Sequence, residues 1–141
     1  MHADQRAEAE RTWARAQDSA DAASWRWLRF HLERTSIRPV IEDGRYEEAR
    51  GRIEALRPWV NHALPLDLAD YHHLRGWLAL VTGDARVARQ NYELAVESAR
   101  RGALPDRIAS MYRAGLAISL VAAGDEDAAE GIIEELEFLP G

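Results

Sequence analysis

His31, Arg34 and Arg38 recur at three- and four-residue spacing, which on a helix places them along one face. Such a row is an array of hydrogen-bond donors suited to carboxylates or other acidic ligands, and it is equally what a plain solvated stripe looks like. A second group, Asp70 with His72 and His73, invites a metal hypothesis. Neighbouring helical residues point about 100° apart, so the two imidazoles cannot easily face one ion. No histidine has another histidine or a cysteine four residues away, and no metal site is expected. Glu134-Glu135 and Asp125-Glu126-Asp127 could be imagined as acid–base pairs, but catalytic carboxylates need an enclosing cleft. The seven acids from Asp125 to Glu137 flank a stripe of Ala128, Ala129, Ile132, Ile133 and Leu136, so they read as the solvated face of a helix. Asp125, Glu126 and Asp127 also suit that helix's positive N-terminal end.

Chemistry beyond these groups is sparse. The sequence has no glycine-rich phosphate loop, nucleophile elbow or Ser-His-Asp order, and it has no cysteine, which removes thiol nucleophiles, disulfides and zinc knuckles together. The expectation is a protein that is not an enzyme and carries no cofactor. The chain has 141 residues, 47% of them hydrophobic and 30% charged, enough to bury the core of one domain or a short repeat array. Net charge is −6, and all 18 basic residues are arginine. Without a basic stripe, direct nucleic-acid binding is not expected. There is no apolar stretch of signal-peptide or membrane-span length, so the chain is expected in the cytoplasm, away from membranes.

The elements that must position these side chains announce themselves as repeats. Gly44, Gly83 and Gly124 are each followed five residues later by a small residue, Ala49, Ala88 or Ala129. Four further on comes Ile53, Tyr92 or Ile133, and three beyond that Leu56, Ala95 or Leu136. These offsets define one helix face, with the small residue where a neighbouring helix comes close. Ala9, Trp13 and Ala16 repeat the spacing upstream, so the small positions run 9, 49, 88, 129, at intervals of 40, 39 and 41. These are B helices, and Trp13 is expected at a core position.

Between them lie apolar-periodic A helices. One covers about Leu66 to Thr82, with Tyr71, Leu74, Trp77, Leu78 and Val81 on its stripe. Another covers about Asp106 to Ala123, opened by Pro105, with Ile108, Met111, Tyr112, Gly115, Ile118 and Ala122. The first, about Ser24 to Glu42, should kink or end at Pro39. The segments 57–65 and 101–105 read as loops. The expected fold is all-α with about seven helices, as an unpaired helix over 1–22 and repeats over 24–60, 65–102 and 105–139.

The B-helix pattern resembles the tetratricopeptide repeat, and Gly83, Ala88, Tyr92 and Ala95 match it best. In the A helices Tyr71, Leu74 and Leu78, then Leu116, Ala117 and Leu120, approximate the family's arrangement, while Ser24 to Glu42 departs from it. The resemblance implies a right-handed α-solenoid of antiparallel helix pairs whose A helices line a concave groove. His73 and Trp77 would then face that groove with Arg34 and Arg38, although core packing for Trp77 stays open. The stretch 76–101 is similar in style to the superhelical regions of large bacterial LuxR-type transcription regulators. That implies a scaffold for protein–protein contact or ligand sensing within a transcription regulator; a stand-alone adaptor holding a peptide is the alternative. The expected partner is another protein or peptide, with acidic groups among those the arginines suit. The lysine/asparagine carboxylate clamp of chaperone-binding relatives is not expected, because lysine is absent and asparagine occurs only at 61 and 91. The last helix, with its single stripe and charged outer face, reads as a capped C-terminal end. The N-terminal end reads as open, to be closed by further repeats or by a second copy of the chain.

Overall fold

The computed structural model describes residues 3–19 and 26–138. Every regular element among them is helical: α1 (Ala3–Ser19), α2 (Arg26–Thr35), α3 (Ile37–Glu42), α4 (Tyr46–Leu56), a 3-10 segment (Arg57–His62), α5 (Pro65–Val81), α6 (Ala85–Arg101), α7 (Asp106–Ala122) and α8 (Glu126–Glu137). The expected start of the first A helix at Ser24, with Trp25, falls outside the described residues.

Three turns share one construction. After α3, α5 and α7 the chain passes through Gly44, Gly83 and Gly124, with φ of 75°, 85° and 86°. That left-handed conformation closes a helix C-terminus and is easy only for glycine. In each turn the glycine N–H bonds back three residues and the next N–H bonds back five: Asp84 to Ala79 at 2.8 Å, Asp125 to Leu120 at 2.9 Å, Arg45 to Val40 at 3.0 Å. Asp84 and Asp125 then cap the following helix, accepting from the Val87 and Ala128 amides at 3.1 and 3.3 Å. Three helices thus turn into the next through Gly44, Gly83 and Gly124, the glycines that the spacing singles out.

Two boundaries differ. The first A helix is split at Ser36 rather than at Pro39, giving α2 and α3. A proline ring collides with the carbonyl four residues earlier, here that of Thr35, so the break falls before the proline and Pro39 sits in the first turn of α3. The expected loop after Arg57 is a 3-10 segment with Pro58 near its start, where the missing proline N–H costs nothing.

Packing follows the small-residue register. Ala49, Ala88 and Ala129 are all buried, as are Ile53, Tyr92, Leu56 and Ala95. From α5 to α7 each helix packs on the one before it and the one after it, and α5 also meets α7. The closest approach centres on Tyr92 of α6, whose ring fills the space left by Gly76 of α5 on one side and Gly115 of α7 on the other. A β-carbon at Gly76 would lie 2.7 Å from the ring, and one at Gly115 would overlap it.

Both ends depart from expectation. Trp13 is 58% exposed rather than in a core, because no other described helix packs extensively against α1. The stripe of α8 is incompletely covered: only Ala129 is buried, and Ile133 joins Ile118 and Val121 of α7 among the exposed large apolar residues. The charged outer face of α8 therefore does not make it a cap. Among the described residues no helix is long and apolar enough to cross a membrane.

Gly115→Ala should destabilise by about 1–3 kcal/mol, the usual cost of overpacking a filled site. In urea titrations the loss should shrink in a Tyr92→Leu background, and an equal loss in both backgrounds would place the strain elsewhere.

Candidate functional site

The face shared by α2, α3 and α5 carries the densest set of polar contacts between helices. Arg34 lies on the same face of α2 and α3 as Phe30 and Ile37, both fully buried, so it is carried inward with them and is only 9% exposed. A buried charge must be paired. Asp67 and Asp70, one turn apart on α5, meet it: Arg34 Nε donates to Asp67 Oδ1 at 2.8 Å, and its Nη1 donates to Asp70 Oδ2. His31 donates from Nδ1 to the same Asp67 oxygen, also at 2.8 Å. Asp67 is 2% exposed and sits in the first turn of α5, where the helix dipole favours an anion. Tyr112 of α7 reaches Asp70 through a long 3.4 Å contact, so the cluster touches three hairpins.

Beside it lies an aromatic layer. The His73 ring stacks on Trp77 with centroids 6.2 Å apart, meets Tyr92 edge-on at 5.4 Å and leans on Tyr112 at 5.6 Å. Burial pushes the His73 imidazole below its ordinary pKa, with Arg38 and Arg34 adding to the effect and Asp70 opposing it. Its Nδ1 is buried without a partner. The phenol of Tyr92 is pushed up to about 12 and that of Tyr112 is raised further, in both by burial first and then by the Asp70 charge. At the rim the exposed Arg38 holds its guanidinium 5.9 Å from the Trp77 ring centroid, a cation–π distance. Arg38 also pairs with Glu42 at 3.1 Å, both side chains well exposed.

No family model matches this chain, and no curated protein or solved structure is similar to it.

The four residues singled out from sequence come together, but not in one role. Arg38, His73 and Trp77 form a continuous patch of side chains on α3 and α5. Arg34 belongs to neither a solvated nor a ligand-facing stripe; it is consumed by Asp67 and Asp70 beneath the surface. Trp77 is half-buried against the core that contains Leu74 and Leu78, so it packs and lines the patch at once. His72 and His73 part company as helix geometry requires: His72 meets Tyr71 edge-on at 5.3 Å, away from the Trp77 layer. A second arginine lies over a tryptophan, Arg29 on Trp59 at 5.1 Å; neither this pair nor Asp67 is among the residues that the sequence singles out. Asp67 carries a usable signal, since it shares a helical face with the apolar Tyr71, Leu74 and Leu78.

Removing one partner of a buried ion pair leaves the other stranded, at about 3–5 kcal/mol. Arg34→Leu should therefore cost about that much in urea titrations, and most of the loss should return when Asp67 and Asp70 are both changed to Asn. No recovery in the triple variant would mean that Arg34 acts through packing alone.

His72 adds a pH dependence. Burial pushes it down to about 4, with Arg75 contributing, so the folded chain keeps it neutral while the unfolded chain protonates it near the ordinary 6.5. The unfolded state then holds more protons, and stability falls as pH drops from about 6.5 toward about 4; the shift of His73 has the same sign. Part of the His72 ring stays in water, which screens the effect, so the loss should be about 1–2 kcal/mol. Melting followed by circular dichroism should show it, and His72→Gln should flatten the slope; an unchanged slope would acquit His72.

Proposed function

We propose that this chain is a non-enzymatic binding scaffold of the tetratricopeptide kind, a right-handed α-solenoid whose A-helix face takes a carboxylate-bearing segment of another protein. Its place, on this reading, is the cytoplasmic repeat region of a bacterial transcription regulator. The carrying observation is the Arg38–Trp77 pair, an exposed guanidinium over an aromatic ring at 5.9 Å, set on a rigid floor. The fork of Arg38 matches a carboxylate, and the Trp77 ring offers an apolar surface to the rest of the ligand. The competing Glu42 contact is an exposed pair at i and i+4, worth only a few tenths of a kcal/mol, so an incoming carboxylate can exchange with it. Arg34 cannot take part without abandoning Asp67 and Asp70. Its role is to hold α2 against α5, fixing the geometry in which Arg38 meets Trp77. The recurring glycine turns and the buried Ala49, Ala88 and Ala129 support the repeat reading, since each unit closes and packs in the same way.

Selection of a random peptide display library on the immobilised chain tests this reading. Enriched peptides should share an acidic residue beside an apolar one. Arg38→Ala and Trp77→Ala should each weaken their binding about tenfold or more, the scale of one lost charge-assisted contact, with far-ultraviolet circular dichroism unchanged. Peptides that bind equally well to both variants would overturn the assignment of this face.

A further inference from the structure

An apolar groove of about 480 Å³ runs between α7 and α8, with Ala114, Ala117, Ile118, Val121, Ile133 and Leu136 among its lining. Ile118 is 59% exposed and Val121 50%, more contiguous apolar surface than a soluble chain commonly leaves to water.

The groove has the shape of a seat for a helix. Gly83 and Gly124 are 41 residues apart, and the same offset carries His73 to Ala114, Tyr92 to Ile133 and Ala95 to Leu136. On the earlier hairpin all three positions meet α7. The Tyr112 ring of α7 lies 5.6 Å from that of His73 and packs with Ala95, and Gly115 of α7 admits the Tyr92 ring. The α7–α8 groove therefore repeats a surface that already holds a helix.

Charge says what kind of helix fits. On α4 and α6 every acid is neutralised in place: Glu47, Glu48, Glu54, Glu93 and Glu97 each pair with an arginine three or four residues away. α8 breaks that pattern. Its Glu126, Asp127, Glu130, Glu134, Glu135 and Glu137 are exposed, with no basic residue on the helix and no ion-pair partner among the described residues. Glu126, Glu130 and Glu137 fall within about 60° of Ile133 at 100° per residue, on the side away from Ala129. They set a row of uncompensated negative charge along the α8 edge of the groove. The arginines of α7, Arg107 and Arg113, stand outside the lining.

An apolar floor with an acidic edge is complementary to a helix that is apolar along one stripe and basic beside it. This chain offers no such helix. Two of these grooves face to face would set like charges together, and α1, which lacks extensive packing, carries four acids against three arginines. We infer that the α7–α8 groove receives a basic amphipathic helix of another protein, its cationic edge lying over Glu126, Glu130 and Glu137. This site is independent of the Arg38–Trp77 face, and either reading can fail without the other.

Fluorescence anisotropy with labelled synthetic peptides of about 18 residues, five turns of helix, tests it on the whole chain. One peptide carries leucines at i, i+3, i+4 and i+7 with arginines along one edge. A second has glutamate for each arginine, and a third scrambles the first so that the stripe is lost. The first should bind about tenfold or more tightly than either of the others, and added salt should weaken it. Ile118→Glu and Val121→Glu should each abolish its binding with helicity unchanged, whereas attraction by charge alone would strengthen it. Glu130→Gln combined with Glu137→Gln should weaken the arginine peptide and spare the fold. No binding, equal binding of the scrambled or glutamate peptide, or binding that survives both groove variants would overturn the inference. So would sedimentation of the chain alone showing self-association that Ile118→Glu removes, since a second copy would then fill the groove.

Discussion

The whole arrangement depends on how closely α6 can be approached by α5 and α7. Tyr92 is wide and its neighbours on both sides are glycines, Gly76 and Gly115. Ala88, one turn earlier, and Ala95, one turn later, are fully buried. A large ring set between missing side chains is an interlock: neither flanking helix can slide without striking it, and neither glycine can acquire a β-carbon without moving it. Dispersion contacts of this kind are individually small and collectively decisive. They also explain why α5, α6 and α7 form the best-packed part of the chain, and why the polar cluster beside them can be held to a single geometry.

That cluster solves a problem the apolar register leaves open. α2 and α3 depart from the repeat pattern and are broken at Ser36, so they cannot dock on α5 through a continuous stripe. Phe30 and Ile37 supply the apolar part, and between them stands Arg34. Taken alone, a buried arginine would unfold the contact; matched to Asp67 and Asp70 across the interface, it fixes register and direction as alkyl side chains would not. The His31 bond to Asp67 makes the same carboxylate oxygen serve two donors. The exposed neighbours, Arg38 and Trp77, then occupy defined positions on the surface.

Much of this was readable one residue at a time. The glycine turns and the small positions at 49, 88 and 129 follow from local conformational limits and a period that recurs, and both are visible in a single chain. What was not readable is which residues meet across 33 or 36 positions of sequence. Arg34 looked like part of a solvated row with His31 and Arg38, because spacing of three and four describes any helix face. Its burial was nevertheless signalled by Phe30 and Ile37 on either side of it at four and three residues, just as that of Asp67 was by Tyr71 and Leu74. Opposite charges seated on two apolar stripes indicate a buried pair. Trp13 failed in the other direction: its spacing matched a core helix, but spacing specifies only a face, and a face is buried only when another element covers it.

The same distinction governs α8. Its acids suggest a finished surface, yet they lie beside an apolar stripe rather than over it: around the helix, Glu126, Glu130 and Glu137 fall within about 60° of Ile133. Acids so placed leave the groove apolar at its floor while making its margin repel any surface of like charge. They also favour the helix itself, since Glu126 and Asp127 occupy its first turn. Solvation of one face and availability of the next are therefore compatible, and a charged helix at the end of a series of hairpins can still present the shape that the preceding hairpin uses to hold its neighbour. Whether such a helix closes a fold depends on the exposure of the residues between its charges, and here Ile118, Val121 and Ile133 remain in contact with solvent.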